Sequence, residues 1–522
     1  MSYLPGFTLL TVATTSAGLR RTFASLLAQT QTRWQWVVAV APHPDAGTVE
    51  EITELAALDP RVSPVRSTGD SWAHQLADAL GESRGRHVAL VEPGDTLADD
   101  ALEVLAAALG PGAWTYTDEG TINPDGSLVE AWLKPAFSPE LLRSQPYAVA
   151  LAALPLDVVR EVGGASPTAG TAAWYDLVLR VSEATPPPVP VVGTLYHRDV
   201  RTWPDEAPWV TGSAEDRCRA VAEHCRRVGI AVTEVLPVEV AGRPVGQRVV
   251  RPAPVGERVS VIIPTRGGSS VIYGFRRVHV VELLRTLWRE DRYPDLELVV
   301  VHDTDTPPEV LAEIEAITDG DWVSVPFEGP FDFARKCNVG AVAASGSILC
   351  FLNDDMEVRT PGWLHELTSL LDAEDVGIVG ARLLFADGTL QHAGLYTDLG
   401  VPSHLMFHGA ADTLEMGGVV QVTGERSAVT GACQVVRTEV FHRLGGFSLA
   451  FPLNYNDVDL CLKARAAGLR VLYTPHAELD HYESQTRTVT VTEKEVADLQ
   501  RRWRIALEED PYINPQARRS GR

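Results

Sequence analysis

Positive charge is scarce in this chain: 45 Lys and Arg face 69 Asp and Glu among 522 residues, leaving a formal net charge of −24. So acidic a surface repels phosphate backbones and anionic head groups, which argues against nucleic acid as a partner and confines any membrane contact to a local basic patch. Arg501, Arg502, Arg504, Arg518 and Arg519 are the candidates for that patch, though a solvated C-terminal helix and tail account for them more simply. Cysteine is sparse too. Cys218, Cys225, Cys337, Cys350, Cys433 and Cys461 include no close pair of the kind that builds a zinc site, and they fall far short of a disulfide framework. Reduced thiols in the cytosol are the expectation. Also missing is any uninterrupted apolar run of about 18 residues that could span a bilayer. Met1–Leu10 lacks the charged start and long apolar core of a signal peptide. A cytoplasmic protein is expected, with peripheral contact at the inner face of the plasma membrane left open.

What is present suffices for packed cores: 45% of residues are hydrophobic and 22% charged. The length exceeds the usual domain range of about 100 to 250 residues, so two domains are expected. Short Val/Ile/Leu runs alternate with segments of helical period, as in Phe7–Val12, Thr22–Ala28 and Trp36–Val40, a pattern that predicts an α/β fold with a covered parallel sheet. The same order returns in Val259–Ile263, Val280–Trp288 and Leu296–Val301. The chain therefore contains an internal repeat. Trp36–Ala41 lies over Leu298–Asp303, Gly85–Gly94 over Gly346–Asp355, Gly163–Gly164 over Gly445–Gly446, and Trp174–Leu177 over Asp457–Leu460. Between the copies lie a proline-rich stretch (Pro186–Pro190), a predicted helix (Ala214–Arg227), a predicted strand (Ile230–Leu236) and a Pro/Gly-punctuated linker (Ala241–Gly256).

Four places carry chemistry. Asp303 follows an apolar strand and should sit at its carboxyl end, where open α/β sheets bind ligands, although Asp also starts turns. Gly346–Asp355 delivers oxygen ligands to the end of another strand, as a hard cation such as Mg²⁺ or Mn²⁺ requires; a polar turn fits the same pattern. Asn454–Lys463 reads as a helix start capped by Asn and Asp, with Asp457 and Asp459 on different faces, so that one can face a cleft as a general base while the other is tied down. His481 follows a strand-like run and could add a nitrogen ligand beside Asp355, or simply be a surface histidine.

Val259–Thr265, Gly329–Asn338, Leu352–Glu357, Gln391–Gly394, Thr430–Cys433, Leu444–Phe447, Asn456–Asp459 and His481–Ser484 occur in the order seen in family 2 glycosyltransferases, and the chain most resembles the bacterial subgroup that builds O-antigen and other cell-surface polysaccharides. The resemblance implies two GT-A (Rossmann-like) domains in tandem: a degenerate copy over 1–205, a connector over 206–256, a catalytic domain over 257–505 and a tail over 506–522. It implies an inverting, metal-dependent hexosyltransferase using a UDP-, dTDP- or GDP-linked sugar, with rhamnose as a plausible sugar, and a glycan or lipid-linked saccharide acceptor. Carried over by position, Pro264, Thr265, Arg266, Asp303, Lys336, Asn338 and Asp354 would bind the donor. Asp355 and His481 would hold Mn²⁺ or Mg²⁺, and Asp457 would be the base. Asn353 stands where the family's D-x-D motif has its first Asp.

In the first copy Asp303 corresponds to Ala41, Asn338 to Ala77, Asp355 to Gly94 and Asp457 to Trp174, although Glu92 and Asp95 remain nearby. That copy is expected to be catalytically silent and to serve packing, acceptor positioning or homodimer formation. Two other readings stand beside the transferase. A sugar nucleotidyltransferase would want a more basic loop than Arg266–Ser270 after its first strand. A scaffold or carbohydrate-binding protein would have no reason to keep Asp303, Asp355, Asp457 and His481 in the second copy.

Overall fold

The computed structural model describes residues 6–199, 212–272, 274–288, 293–398, 400–482 and 491–520. The chain forms two compact units, one of Met1–Val250, Leu414–Val422 and Ile513–Arg522, the other of Arg251–Thr413 and Thr423–Tyr512.

In the first unit, β1 (Phe7–Ala13), β2 (Trp34–Val40), β3 (Val62–Arg66) and β4 (His87–Leu90) are parallel. They are followed by β5 (Thr96–Leu97), β6 (Thr115–Ile122), β7 (Leu128–Trp132), β8 (Leu154–Pro155) and β9 (Val189–Asp199). The strands assemble in the orders β3-β2-β1-β4-β8 and β5-β9-β6-β7, and a single bridge, Thr115 to Ala153, connects the two sheets. Alternate side chains serve opposite layers: Leu10, Val12, Val37 and Val88 enter one core, Phe7, Leu9, Trp36 and Val38 the other. This is why each run reads as continuously apolar.

The helix Ala214–Arg227 forms as predicted, with Ser213 accepting from the Asp216 N–H at 3.1 Å. The strand expected from Ile230 begins four residues later, as β10 (Glu234–Val240). The Ile230 N–H is committed to the Cys225 carbonyl, closing the helix end around Gly229 at φ 78°. The stretch read as a linker carries β11 (Arg243–Val250), paired antiparallel with β10. Gly246 there reflects crowding rather than slack, since a Cβ would lie 2.1 Å from the Ser144 carbonyl oxygen.

The second unit holds β12 (Val259–Thr265), the hairpin of β13 (Ser269–Ile272) and β14 (Phe275–Val278), β15 (Leu296–Asp303), β16 (Val323–Phe327), β17 (Ile348–Leu352), β18 (Met356–Val358) and β19 (Val376–Leu384). After these come β20 (Leu390–His392), the hairpin of β21 (Leu395–Asp398) and β22 (Val401–His404), β23 (Gly424–Glu425), β24 (Cys433–Arg437) and β25 (Arg470–His481). The main path is β16-β15-β12-β17-β24-β19-β25-β18. It repeats the first unit strand for strand, including register. Phe7 pairs with Trp34 and His87, as Val259 pairs with Leu296 and Ile348. The paired strands thus reproduce the alignment that sets Ala41 against Asp303 and Gly94 against Asp355. Among the described residues no helix is long and apolar enough to cross a membrane.

Candidate active site

Strands β15, β12 and β17 run parallel and side by side, so Asp303, Thr265 and Asn353–Asp355 arrive together at one carboxyl edge. This is the edge at which open α/β sheets bind ligands. The helix Phe333–Ala343 packs closely beneath it because Gly340 has no side chain: a Cβ would lie 2.4 Å from Ile262 Cγ2. That approach carries Lys336 under the strand ends. Its Nζ lies 2.5 Å from Asp303 Oδ1 and donates to the Thr265 carbonyl at 2.7 Å, between the rings of Phe327 and Phe331. Burial lowers the Lys336 pKa, opposed by the hydrogen bond and charge of Asp303. Arg266, more exposed, reaches the other oxygen of Asp303 at 3.3 Å.

Thr265 Oγ1 donates to Asp354 Oδ2 at 2.5 Å. Burial, together with the neighbouring charge of Asp355, raises the Asp354 pKa to about 7. Asp355 points elsewhere. Antiparallel pairing of Met356 with His481 brings the two side chains together, and His481 Nε2 sits 3.1 Å from Asp355 Oδ1. Burial pushes this carboxyl upward, but the charge and hydrogen bond of His481 outweigh it and leave the pKa lowered. The other ring nitrogen, Nδ1, lies 2.6 Å from Gln391 Oε1. An amide oxygen only accepts, so Nδ1 carries a proton and Nε2 is the nitrogen turned to Asp355, donating to it in the charged ring and offering a lone pair to an ion once that proton is lost. This is how a metal-ligating histidine is normally oriented.

A half-buried oxygen donor and an oriented nitrogen donor therefore meet at one point, a set that suits Mn²⁺ or Mg²⁺ with remaining positions filled by diphosphate oxygens and water. Among the described residues no group of three His, Cys, Asp or Glu converges on such an ion.

On the facing wall, the helix Asn456–Ala466 starts from Tyr455, which is left-handed at φ 62° and makes no side-chain cap. The capping expected of Asn and Asp is thus not what begins this helix. Asp457 instead receives the Gly431 N–H on Oδ2 and its own neighbour's, Val458, on Oδ1, both at 2.8 Å. Burial raises its pKa against those two donors. Asp459, fully buried, is tied down by Lys463 at 3.1 Å, Arg502 at 2.9 Å and the Trp503 indole at 2.8 Å.

Pro264, Thr265, Arg266, Asp354, Asp355, Asp457 and His481 all line one cleft of about 640 Å³. Asp303 and Lys336 stand behind it, joined through Arg266 and Thr265. Asn338 does not line it. Its amide is used at both ends by the backbone of Phe447, at 2.8 and 2.9 Å, so it braces a loop instead of offering a donor contact. Glu483 and Ser484 of the last motif lie outside the described residues. Of the basic patch, Arg501 pairs with Asp498, Arg502 with Asp459 and Arg504 with Glu508, so these charges are locally compensated; the side chains of Arg518 and Arg519 lie outside the described residues.

Three residues went unread in the sequence as site residues: His404 and His279, which line the cleft, and Gln391, which supports His481 from behind. His279 is 3% exposed, lines the cleft, and has neither ring nitrogen bonded by a described residue, which leaves it available to a ligand. Nothing in a single sequence separates such histidines from ordinary core ones.

The first unit fills the same place with its own charges. Pairing of Thr96 with His197 matches that of Glu357 with Asp480, which puts Arg198 where the second unit has His481. Arg198 is fully buried, 2.6 Å from Glu119 and 4.0 Å from Asp95, while Asp95 also accepts from Tyr196 at 2.7 Å. Burial raises Asp95 to about 6 and Glu92 to about 7. At the position that corresponds to Asp457, the Trp174 indole donates to the Val149 carbonyl at 3.1 Å.

The cleft at the carboxyl edge of the sheet thus holds an acid–histidine pair and a further carboxylate, Asp457. Residues 254–505 match the glycosyltransferase like family 2. Similarity extends across both units: the O-antigen biosynthesis protein RfbC of Myxococcus xanthus is 32% identical over 516 residues, 96% of this chain and 39% of that protein. The uncharacterized protein y4gI of Sinorhizobium fredii is 31% identical over 523 residues, 94% of this chain and 55% of that one. The chain thus spans about two fifths to about half of these relatives. A crystal structure of GalNAc-T7 with UDP, GalNAc and Mn²⁺ covers 49% of each chain at 14% identity and a TM-score of 0.39.

Proposed function

We propose that this chain transfers a sugar from a nucleoside-diphosphate donor to a hydroxyl of a glycan or lipid-linked acceptor, with inversion at the anomeric carbon, in the synthesis of a cell-surface polysaccharide. The observation that carries the reading is one cleft lined by Arg266, by Asp355 with an oriented His481 and by Asp457, backed by the buried Asp303–Lys336 pair at the same sheet edge. The name of the Myxococcus xanthus relative supports the polysaccharide assignment, and rhamnose is the donor sugar we favour.

In this reading Asp303, held in place by Lys336, accepts from the nucleoside, and Arg266 faces the diphosphate. Asp355 and His481 would hold Mn²⁺ or Mg²⁺, which when bound supplies positive charge to the departing diphosphate. Asp457 takes the acceptor proton as the hydroxyl oxygen attacks. Its raised pKa makes it a better proton acceptor than an ordinary surface carboxylate, and the N–H groups of Gly431 and Val458 fix its orientation. Residues 1–205 act as a silent copy, with the catalytic domain over 257–505.

The test is nucleoside-diphosphate release from UDP-, dTDP- and GDP-sugars in the presence of a saccharide acceptor, with Mn²⁺, Mg²⁺ or chelator. Turnover of one donor that is lost in Asp355→Ala is expected. Pyrophosphate release from a sugar phosphate and a nucleoside triphosphate would replace this reading with a nucleotidyltransferase, and absence of any metal-dependent nucleotide binding would replace it with a scaffold.

A further inference from the structure

Two histidines beside the cleft form a hydrogen-bond chain whose direction the backbone dictates. The Thr430 N–H donates to Nε2 of His392 at 3.2 Å. A ring nitrogen that accepts bears no proton, so the proton of His392 is on Nδ1. That Nδ1 lies 3.0 Å from Nδ1 of His404. With one proton between two nitrogens, His392 donates and His404 accepts, and His404 must carry its own proton on Nε2. Burial keeps both rings uncharged: it lowers His404 to about 4, helped by the nearby charge of His481, and lowers His392 further.

His404 ends β22 and lines the cleft, and no described residue accepts from its Nε2. Asp355 and His481 line the same cleft, as do Thr430, where the hydrogen-bond chain begins, and Asp457, which Gly431 holds. His404 therefore shares the cleft with the groups assigned to the diphosphate and the group assigned to the acceptor, where the migrating sugar sits in the proposed reaction.

Resting on that reading, we infer that His404 is a specificity-determining residue that donates its Nε2–H to a hydroxyl of the sugar being transferred. An uncharged donor fits a neutral hydroxyl, whereas the diphosphate already has Arg266 and the Asp355–His481 pair near it. A cleft built around a fixed hydrogen-bond donor also rejects a sugar lacking the matching hydroxyl, because the donor is then left dry and unpaired.

Calorimetry on the full chain with Mn²⁺ tests this, comparing UDP-glucose, UDP-galactose, dTDP-rhamnose and GDP-mannose with UDP, dTDP and GDP. For the sugar nucleotide that binds best, His404→Phe should weaken binding about tenfold or more while leaving the matching nucleoside diphosphate unchanged. His404→Gln, which can still donate, should recover most of the loss. Equal weakening of both ligands, or of neither, overturns the inference. Nitrogen-15 NMR of the ligand-free protein supplies a readout that needs no substrate: Nδ1-protonated His392 and Nε2-protonated His404 are expected, and the reverse tautomers overturn the hydrogen-bond chain. Failure of the intact protein to bind any of these nucleotides would instead sink the glycosyl-transfer reading, and this inference with it.

Discussion

Gln391 and His481 clasp each other: Oε1 of the amide takes the Nδ1 proton across 2.6 Å, and the amide nitrogen reaches back to the His481 carbonyl at 3.5 Å. Both are buried. The glutamine chooses the tautomer, and so chooses whether the histidine can be a ligand at all.

Removing that clasp should act on the metal. Gln391→Ala is expected to lower Mn²⁺ affinity about 10- to 100-fold, as loss of such supporting groups commonly does. Mn²⁺ titration followed by electron paramagnetic resonance checks it; unaltered affinity would show that His481 is oriented by something else.

Asp457→Asn keeps the shape and can still meet the acceptor but cannot take its proton. Transfer should fall about 10²- to 10⁴-fold with nucleotide binding intact. Measuring both in one preparation separates loss of the base from misfolding.

The acidity of Asp457 sets a pH profile. Burial raises its pKa, so kcat/KM should climb with pH through an acid limb lying above the ordinary carboxylate range. Stability runs the other way. A carboxyl whose folded pKa is raised contributes stability that is complete below its unfolded pKa and is lost as pH rises through the folded one. Denaturant unfolding across that window should therefore show a falling slope that Asp457→Asn removes.

Lys336 is fully buried and Asp303 nearly so. Lys336→Met leaves the buried Asp303 carboxylate only the exposed Arg266 as counter-charge and should cost up to about 3 kcal/mol in denaturant unfolding. Adding Asp303→Asn should return part of that stability without restoring nucleotide binding.

In the first unit, Arg198→Met strips Glu119 and Asp95 of their shared partner and should destabilise the protein by about 3 to 5 kcal/mol. Chelator should shift the unfolding midpoint of neither the variant nor the parent through this unit. A metal-dependent midpoint in an Asp355→Ala background would contradict that.

Much of this was legible in the chain before folding. Asp303 and Asp355 each follow an apolar run, and parallel strands deliver their ends to one edge, so pattern pointed to both, while His481 beside Asp355 followed from the family resemblance because it depends on an antiparallel pairing. Duplication was legible because strand register preserves spacing. Asn338 shows the limit: it stands in a recognisable motif, yet its amide is consumed by Phe447, more than a hundred residues away. His404 and Gln391 depended on a hairpin and a short strand folding back over the cleft, contacts that carry no periodicity. The strand Arg243–Val250 was disguised by Gly242, Pro244 and Gly246, residues that usually break structure; Gly246 here relieves crowding at Ser144.

Arg198 gives the duplication a different complexion. Under the proposed function, one half of the molecule borrows its positive charge from solution and gives it back, while the other has grown its own and cannot let go. A site with an irremovable cation has no cycle of loading and release, so it is exempt from competition among ions in the cell. It can also persist as architecture when the ion supply that governs its twin runs low.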